Sequence, residues 1–366
     1  MSHADRTSAA DHAHMAHALQ LAARGLYTTT PNPRVGCVIV KDGRVVGVGW
    51  HQRVGMLHAE IHALKAAGAA ARGAAVYVTL EPCSHHGRTP PCAEALIQAG
   101  VTRVLAAMRD PNPLVAGGGI TMLTLAGIQA EVGLMEAEAR ALNSGFISRM
   151  TRQRPWVRLK TASTLDGKTA LANGQSQWIT GEAARADVQH LRARACAILT
   201  GSGTVLADNP RMNVRDFDIG RQPLRVIVDS GLRTPVDAAI LPALIACHHA
   251  PAAARAALEQ AGSEVIELPG ANGQVDLAAL LALLAQRGIN ELHVEAGAAL
   301  NGALLSAGLI DEWVAYVAPL AVGDSARGLF TQPPLATLAD AARFKLSDTR
   351  QIGNDLRLTL LPLLQS

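Results

Sequence analysis

Residues 75–108 read AVYVTLEPCSHHGRTPPCAEALIQAGVTRVLAAM, and this stretch decides how the first part of the chain folds. AVYVTL (75–80) and VTRVLAAM (101–108) have the apolar, β-branched character of buried strands, while residues 92–99 between them read as a helix. Strand, helix and strand in that order build a parallel sheet with helices laid against it. Working upstream, residues 58–71 predict a helix, and VGCVIV (35–40) and VVGVGW (45–50) flank Asp42-Gly43, a turn signal that predicts an antiparallel hairpin. A further helix is expected over 12–24, stopping at Gly25, and the first ten or so residues are expected to be disordered.

Working downstream, LMEAEARALNSGFISRM (134–150) predicts one helix, and the basic stretch TRQRP (151–155) separates it from a new strand, WVRLKTA (156–162). The expected division is therefore a domain over 1–150 and another over 151–366. The second alternates again. Helices are expected at 182–194, 275–287 and 299–308, and strands at 197–201, 224–230, 243–249, 264–268, 291–297 and 313–319. No internal repeat is visible. Both halves are α/β.

The composition excludes several classes. A chain of 366 residues suffices for two cores, and 33 Lys plus Arg against 30 Asp plus Glu gives a net charge of +3, too little to argue for a nucleic acid or membrane partner. No stretch approaches the ~20 uninterrupted apolar residues that span a bilayer, and the polar opening MSHADRTSAADHAHMAH lacks the apolar core of a signal peptide, so a cytoplasmic enzyme is expected. Five cysteines are too few and too scattered for a disulfide framework. Cys37, Cys196 and Cys247 lie in apolar runs and read as buried hydrophobes. His3, His12, His14 and His17 have no thiol nearby to complete a metal site and read as a solvated helix face.

Cys83 and Cys92 differ, because they share one loop with His58 some two dozen residues upstream. Zinc takes imidazole nitrogen and thiolate in a tetrahedron, and a catalytic site uses three protein ligands so that water holds the fourth place. His58, Cys83 and Cys92 supply three. Glu60, two residues beyond His58, leaves the helix at another angle and is placed to shuttle protons instead of ligating. H-x-E with a later P-C-x-x-C is the pattern of zinc nucleobase deaminases, in which water attacks a ring carbon bearing an amine. Here eight residues, SHHGRTPP, separate the cysteines and bring His85, His86 and Arg88 to the site. A zincin built on His58 and His62 fails, since Glu would have to follow the first His directly.

TPNPRVGCVIVKDG, HAEIHALKAAG, VTLEPCSHHGRTPPC and RDPNP together resemble the bifunctional deaminase-reductases of riboflavin biosynthesis, whose long inter-cysteine loop matches this one. The resemblance runs over nearly the whole chain. It implies a cytidine-deaminase-like three-layer α/β/α domain acting on 2,5-diamino-6-(phosphoribosylamino)pyrimidin-4-one, with Glu60 as proton shuttle. By the same likeness Asn32, His51, His85 and Arg88 hold the pyrimidine or its phosphoribosyl tail.

Read from residues alone, the second half does not declare a cofactor. GSGTVL (201–206) lacks the third glycine of a dinucleotide fingerprint, and VEAGAALNGALL (294–305) only sets Gly297 between a strand and a helix start, where free N–H groups favour phosphate. LKTASTLDGKTA, SQWIT, ILTGSGTVLADNP, LRVIVDS and VEAGAALNGALL resemble the reductase domain of the same family. This implies a dihydrofolate-reductase-like fold that binds NADPH without those glycines and delivers hydride to C1 of the opened ribose. The likeness places Ala162, Trp178, Thr204, Asp208, Met212, Ser230, Gly297, Ala298, Ala299, Leu300, Asn301, Gly302 and Ala303 on NADPH, and Ser176, Arg192, Arg215 and Glu295 on the substrate. Guanidinium groups suit a phosphate dianion, since they grip it in a bidentate way. Lys160 and Glu295 end apolar strands, and either is a candidate proton relay. Zinc and NADPH are thus the expected cofactors, a small phosphoribosyl pyrimidine the partner, and a homo-oligomer the expected assembly. Two rivals remain: a monofunctional nucleoside or tRNA deaminase with a structural C-terminal domain, and a nucleic-acid binder with structural zinc. The second needs a fourth ligand and a basic face, which the sequence lacks.

Overall fold

The computed structural model describes residues 7–85, 90–113 and 115–363. It divides into two compact units, Met1–Gln153 and Arg154–Ser366. Among the described residues no helix is long and apolar enough to cross a membrane.

The first unit runs α1 (Ala9–Ala23), β1 (Gly36–Lys41), β2 (Arg44–Trp50), α2 (Ala59–Ala67), β3 (Ala75–Val78), α3 (Cys92–Ala99), β4 (Arg103–Ala106), α4 (Gly118–Leu125), β5 (Gln129–Val132), α5 (Glu136–Leu142) and α6 (Ser144–Arg152). Its sheet has the order β2-β1-β3-β4-β5. The β1–β2 hairpin turns through Asp42 (φ 50) and Gly43 (φ 74), both in the left-handed region, as a two-residue type I′ turn requires. From β3 onward the strands are parallel. The segment 134–150, expected as one helix, is two. Asn143 breaks it because its buried amide is spent elsewhere: Oδ1 accepts from Arg34 N at 2.8 Å and Nδ2 donates to Arg34 O at 2.9 Å. That exchange fixes the loop carrying Asn32.

Two glycines in β2 let α2 lie directly on the sheet. A Cβ on Gly49 would stand 2.3 Å from Ala59 O, and one on Gly47 would stand 2.3 Å from Ala63 O. The alanine-rich face of α2 therefore meets backbone with no side chain between, and this contact sets where His58, its N-cap, and Glu60, in its first turn, come to rest. On the same unit, Asp11 accepts hydrogen bonds from Tyr77 Oη at 2.6 Å and Arg103 Nη1 at 2.9 Å.

The second unit runs β6 (Trp156–Thr164), β7 (Lys168–Ala170), α7 (Glu182–Arg194), β8 (Ala197–Gly201), α8 (Ser202–Asp208), β9 (Leu224–Val228), β10 (Leu244–Cys247), α9 (Ala252–Gln260), β11 (Glu264–Glu267), α10 (Leu277–Gln286), β12 (Glu291–Val294), α11 (Ala298–Ser306), β13 (Glu312–Ala318), β14 (Arg327–Gly328), β15 (Phe344–Ile352) and β16 (Asp355–Pro362). Nine strands form one sheet, β11-β10-β9-β8-β12-β6-β13-β16-β15, parallel except for the β13–β16 and β16–β15 pairings.

The two faces of that sheet have opposite chemistry. Val157, Leu159, Leu199, Leu292 and Val294 form an apolar core with Leu280, Leu281 and Leu284 of α10. The alternate residues Arg158, Lys160, Glu291 and His293 face the other way, because side chains alternate along a strand. There α7 is held by charge: Arg194 Nε lies 2.7 Å from Glu291, and Arg158, fully buried, lies 3.1 Å from Glu291 and 2.9 Å from Glu312. Such a cluster costs desolvation, but removing one member would strand the rest.

Two outcomes are expected. Gly49→Ala, which forces α2 off the sheet, should destabilise the first unit by about 1–3 kcal/mol and lower its zinc content by elemental analysis, while NADPH binding is unchanged. The Asp11 carboxyl is pulled up by burial but down further by Tyr77, Ser8 and Arg103, to about 2. A depressed carboxyl stabilises the folded state above its unfolded value near 4 and loses that contribution as pH falls toward 2. Asp11→Asn should therefore weaken protection of the α1 amides in hydrogen exchange by about 2 kcal/mol at pH 7, and the difference from the parent should shrink as the pH drops through 4 to 3.

Candidate active sites

In the first unit, three segments converge. His58 caps α2, Cys83 follows β3 in the Glu81-Pro82-Cys83 turn, and Cys92 opens α3. His58 Nδ1 lies 3.3 Å from Cys92 Sγ and 3.7 Å from Cys83 Sγ, and the three atoms are all within 4.8 Å of one another. A tetrahedral zinc with Zn–S near 2.3 Å and Zn–N near 2.0–2.1 Å requires nitrogen and sulfur about 3.6 Å apart. The trio fits, and among the described residues no fourth His, Cys or carboxylate joins it.

The local electrostatics agree. The Cys83 thiol is drawn down, chiefly by the hydrogen bond from Cys92, and the same bond pushes the Cys92 thiol up. The pair gives up one proton readily and holds the other until a cation displaces it. Glu60 is 4% exposed, and burial pushes its carboxyl up to about 7. That is where a proton shuttle operates best at neutral pH.

Glu81 was not singled out from the sequence. Its buried carboxylate accepts from four backbone N–H groups: Asp110 at 3.2 Å, Gly117 at 3.0 Å, Gly119 at 3.0 Å and Ile120 at 3.2 Å. It thereby ties the RDPNP loop and the start of α4 to the strand end that carries Cys83. A lone carboxylate two residues before a thiol ligand was the available signal.

Asn32 and His51 meet at the same site. Asn32 Nδ2 lies 3.0 Å from His51 Nε2, His51 Nδ1 lies 3.2 Å from Leu57 O, and the His51 ring stands 5.8 Å from that of His58. The Leu57 carbonyl fixes a proton on Nδ1, so Nε2 accepts from the Asn32 amide. Burial pulls the pKa of His51 down and keeps the ring neutral. His85 is exposed beyond Cys83, and Arg88 lies outside the described residues.

In the second unit a cavity of about 1130 Å³ opens along the C-terminal ends of the parallel strands, the usual ligand position in α/β sheets. It exceeds the ~300–1,000 Å³ of single-ligand pockets, which leaves room for a dinucleotide and a second molecule. Lys160, Ala162, Ser176, Trp178, Arg192, Thr204, Asp208, Met212, Arg215, Ser230, Glu295, Gly297, Ala298, Ala299, Leu300, Asn301 and Ala303 all line it. Gly302 does not. It faces Thr331, whose carbonyl oxygen would be 1.9 Å from a Cβ there, so close backbone approach accounts for that glycine.

Glu295 is the hub. Arg192 Nε lies 2.5 Å from Oε1 and Nη2 3.0 Å from Oε2, Lys160 Nζ lies 3.7 Å from Oε2, and the fully buried His293 donates from Nε2 to Oε1 at 3.2 Å. Burial alone would raise its pKa, but Arg192 and Lys160 hold it well below the carboxylate range. Arg192, in a helix rich in charge, is therefore buried and not solvated. Its guanidinium also donates to Asn213 O at 3.1 Å. Arg211, Arg233 and Gln274 line the cavity as well and were missed, because each lies in a loop without periodic pattern.

Comparison with known proteins agrees with this geometry. Residues 8–108 match the model of the cytidine and deoxycytidylate deaminase zinc-binding region, and residues 155–358 match that of the RibD C-terminal domain. Riboflavin biosynthesis protein RibD of Escherichia coli is 50% identical over 96% of this chain and 99% of its own, and its Haemophilus influenzae counterpart is 48% identical over 97% and 98%. Among solved structures, Acinetobacter baumannii RibD superposes with a TM-score of 0.90 at 48% identity, covering 97% of this chain and 99% of that one. A diaminohydroxyphosphoribosylaminopyrimidine deaminase/5-amino-6-(5-phosphoribosylamino)uracil reductase from Thermotoga maritima gives 0.84 at 32% identity, covering 97% and 99%. A zinc-ready His/Cys/Cys site in one unit, a cation-lined cavity in the other and these full-length likenesses place the chain in the RibD family of riboflavin biosynthesis proteins.

Proposed function

We propose that this bifunctional deaminase and reductase carries its hydrolytic chemistry on His58, Cys83, Cys92 and Glu60, and its reductive chemistry in the cavity around Lys160 and Glu295. The observation that carries the reading is a three-ligand metal site beside the buried Glu60 carboxyl. The substrates are those for which the Thermotoga enzyme is named: a diaminopyrimidine phosphoriboside is deaminated, and the resulting uracil is reduced from ribosyl to ribityl. His58, Cys83 and Cys92 would hold zinc, which when bound lowers the pKa of water from 15.7 to about 7. Glu60 takes a proton from the attacking water and returns one to the departing amine, so that water and substrate become ammonia and product. Asn32, with one amide N–H donated to His51, presents its carbonyl oxygen to the pyrimidine, and His85 and Arg88 serve the phosphoribosyl tail.

In the second unit NADPH, when bound, supplies hydride to C1 of the opened ribose. Ala162, Trp178, Thr204, Asp208, Met212, Ser230, Gly297 and, from the start of α11, Ala298, Ala299, Leu300, Asn301 and Ala303 hold the dinucleotide, while Ser176, Arg215 and the Arg192–Glu295 pair hold the substrate. Lys160 is the cation beside the Glu295 carboxylate that can pass a proton to the reduced nitrogen. The boundary at 150–155 assigns deamination to the first unit and reduction to the second. A structural second domain is the weaker reading, because the RibD C-terminal model matches 155–358. Five free thiols suit a reducing cytoplasm, and the exposed Leu346, Leu356 and Leu363 offer a surface for self-association.

Glu60→Gln should abolish ammonia release from the diaminopyrimidine substrate, a loss of about 10²–10⁴-fold, while zinc content and NADPH oxidation with the deaminated intermediate stay at parental levels. Ammonia at the parental rate would remove Glu60 from the mechanism. Cys92→Ser should lose most zinc by elemental analysis, and stoichiometric retention would mean that another group completes the site.

A further inference from the structure

Several cations line the cavity of the second unit. Lys160 and Arg192 pair with Glu295 over β6 and β12. Arg233 stands apart. It follows β9, and the sheet order β9-β8-β12-β6 puts it two strands from Glu295 and three from Lys160. At about 4.8 Å per strand, the end of β9 is roughly 10 Å from that of β12 and roughly 14 Å from that of β6. The hydride acceptor belongs at β6 and β12, so a dinucleotide lying across the strand ends has its adenosine half over β9.

The turn that carries Arg233 is firmly built. Asp229, fully buried, accepts from both N and Oγ1 of Thr234 at 2.7 Å, and Leu232 N donates to Asp229 O at 3.1 Å. Leu232 is held in the left-handed region at φ 50 with its side chain buried, a conformation that the surroundings must impose. Arg233 itself is exposed to the cavity. Its Nη2 lies 3.3 Å from Ser202 Oγ, and among the described residues no carboxylate pairs with it. A rigid turn thus presents a guanidinium with no carboxylate partner among the described residues, three residues beyond Ser230, where the adenosine ribose would rest.

Resting on the reading of this cavity as the NADPH site, we infer that Arg233 grips the adenosine 2′-phosphate and is the residue that selects NADPH over NADH. A guanidinium suits that task, because it is permanently charged and meets a phosphate through two parallel N–H bonds.

The test is equilibrium binding to the full chain, read by calorimetry or nicotinamide fluorescence, with NADPH, NADH and 2′-AMP as probes. Arg233→Ala should weaken NADPH about thirty- to hundredfold, change NADH less than about threefold, and abolish competition by 2′-AMP. Arg233→Lys should recover part of the NADPH affinity, since it restores the charge without the fork. Unchanged NADH binding doubles as the control for folding. Equal weakening of NADPH and NADH, or no change in NADPH, would overturn the assignment. A parent chain that binds NADPH and NADH equally well would overturn the selectivity while leaving the cavity's role intact. If the parent binds neither, the reading of the cavity falls and this inference with it.

Discussion

An imidazole nitrogen and two sulfurs packed within 4.8 Å of one another are poor company without a cation. The nitrogen and both sulfurs carry lone pairs, and only one thiol loses its proton easily. A divalent ion turns the same cluster into a favourable one, and its binding energy becomes folding energy for the loops that carry the ligands. The rest of the first unit serves this convergence. Gly47 and Gly49 let α2 approach at backbone distance, which fixes His58 and Glu60. Glu81 gathers four amides and so fixes the strand end that carries Cys83. Asn143 clamps the backbone beside Asn32.

The second unit solves a different problem, bringing charge to the edge of a sheet without losing the core. It does so by dividing the sheet between its faces. One is covered by leucines from α10, while the other holds Arg158, Glu291, Glu312 and Arg194 in a buried ionic row under α7. On the same face His293 donates to Glu295, which pairs with Arg192 and Lys160 at the cavity. Buried partners thus hold the Glu295 carboxylate in place, which is a form of preorganisation.

Legibility in the sequence followed the range of the forces involved. The Asp42-Gly43 hairpin, the α7 helix and the β8 strand were readable because turn chemistry and periodicity are local. The convergence of His58, Cys83 and Cys92 was readable because metal chemistry restricts residue types and spacing. The break at Asn143 was not, since its cause is a backbone more than a hundred residues away. The β15–β16 hairpin was missed although Gly353-Asn354 is a turn pair: its strands alternate poorly, with most of β15 exposed at the sheet edge. The cavity of the second unit had no motif of its own, and only the likeness to a family pointed to residues that line it. Arg233 had neither motif nor likeness, and only the sheet order reveals where it stands.

X-ray absorption at the zinc edge of the purified full chain tests the central claim most directly. Two sulfur scatterers near 2.3 Å, one imidazole nitrogen near 2.0–2.1 Å and a single further light atom are predicted. A shell of four sulfurs, or of nitrogen and oxygen alone, would contradict it.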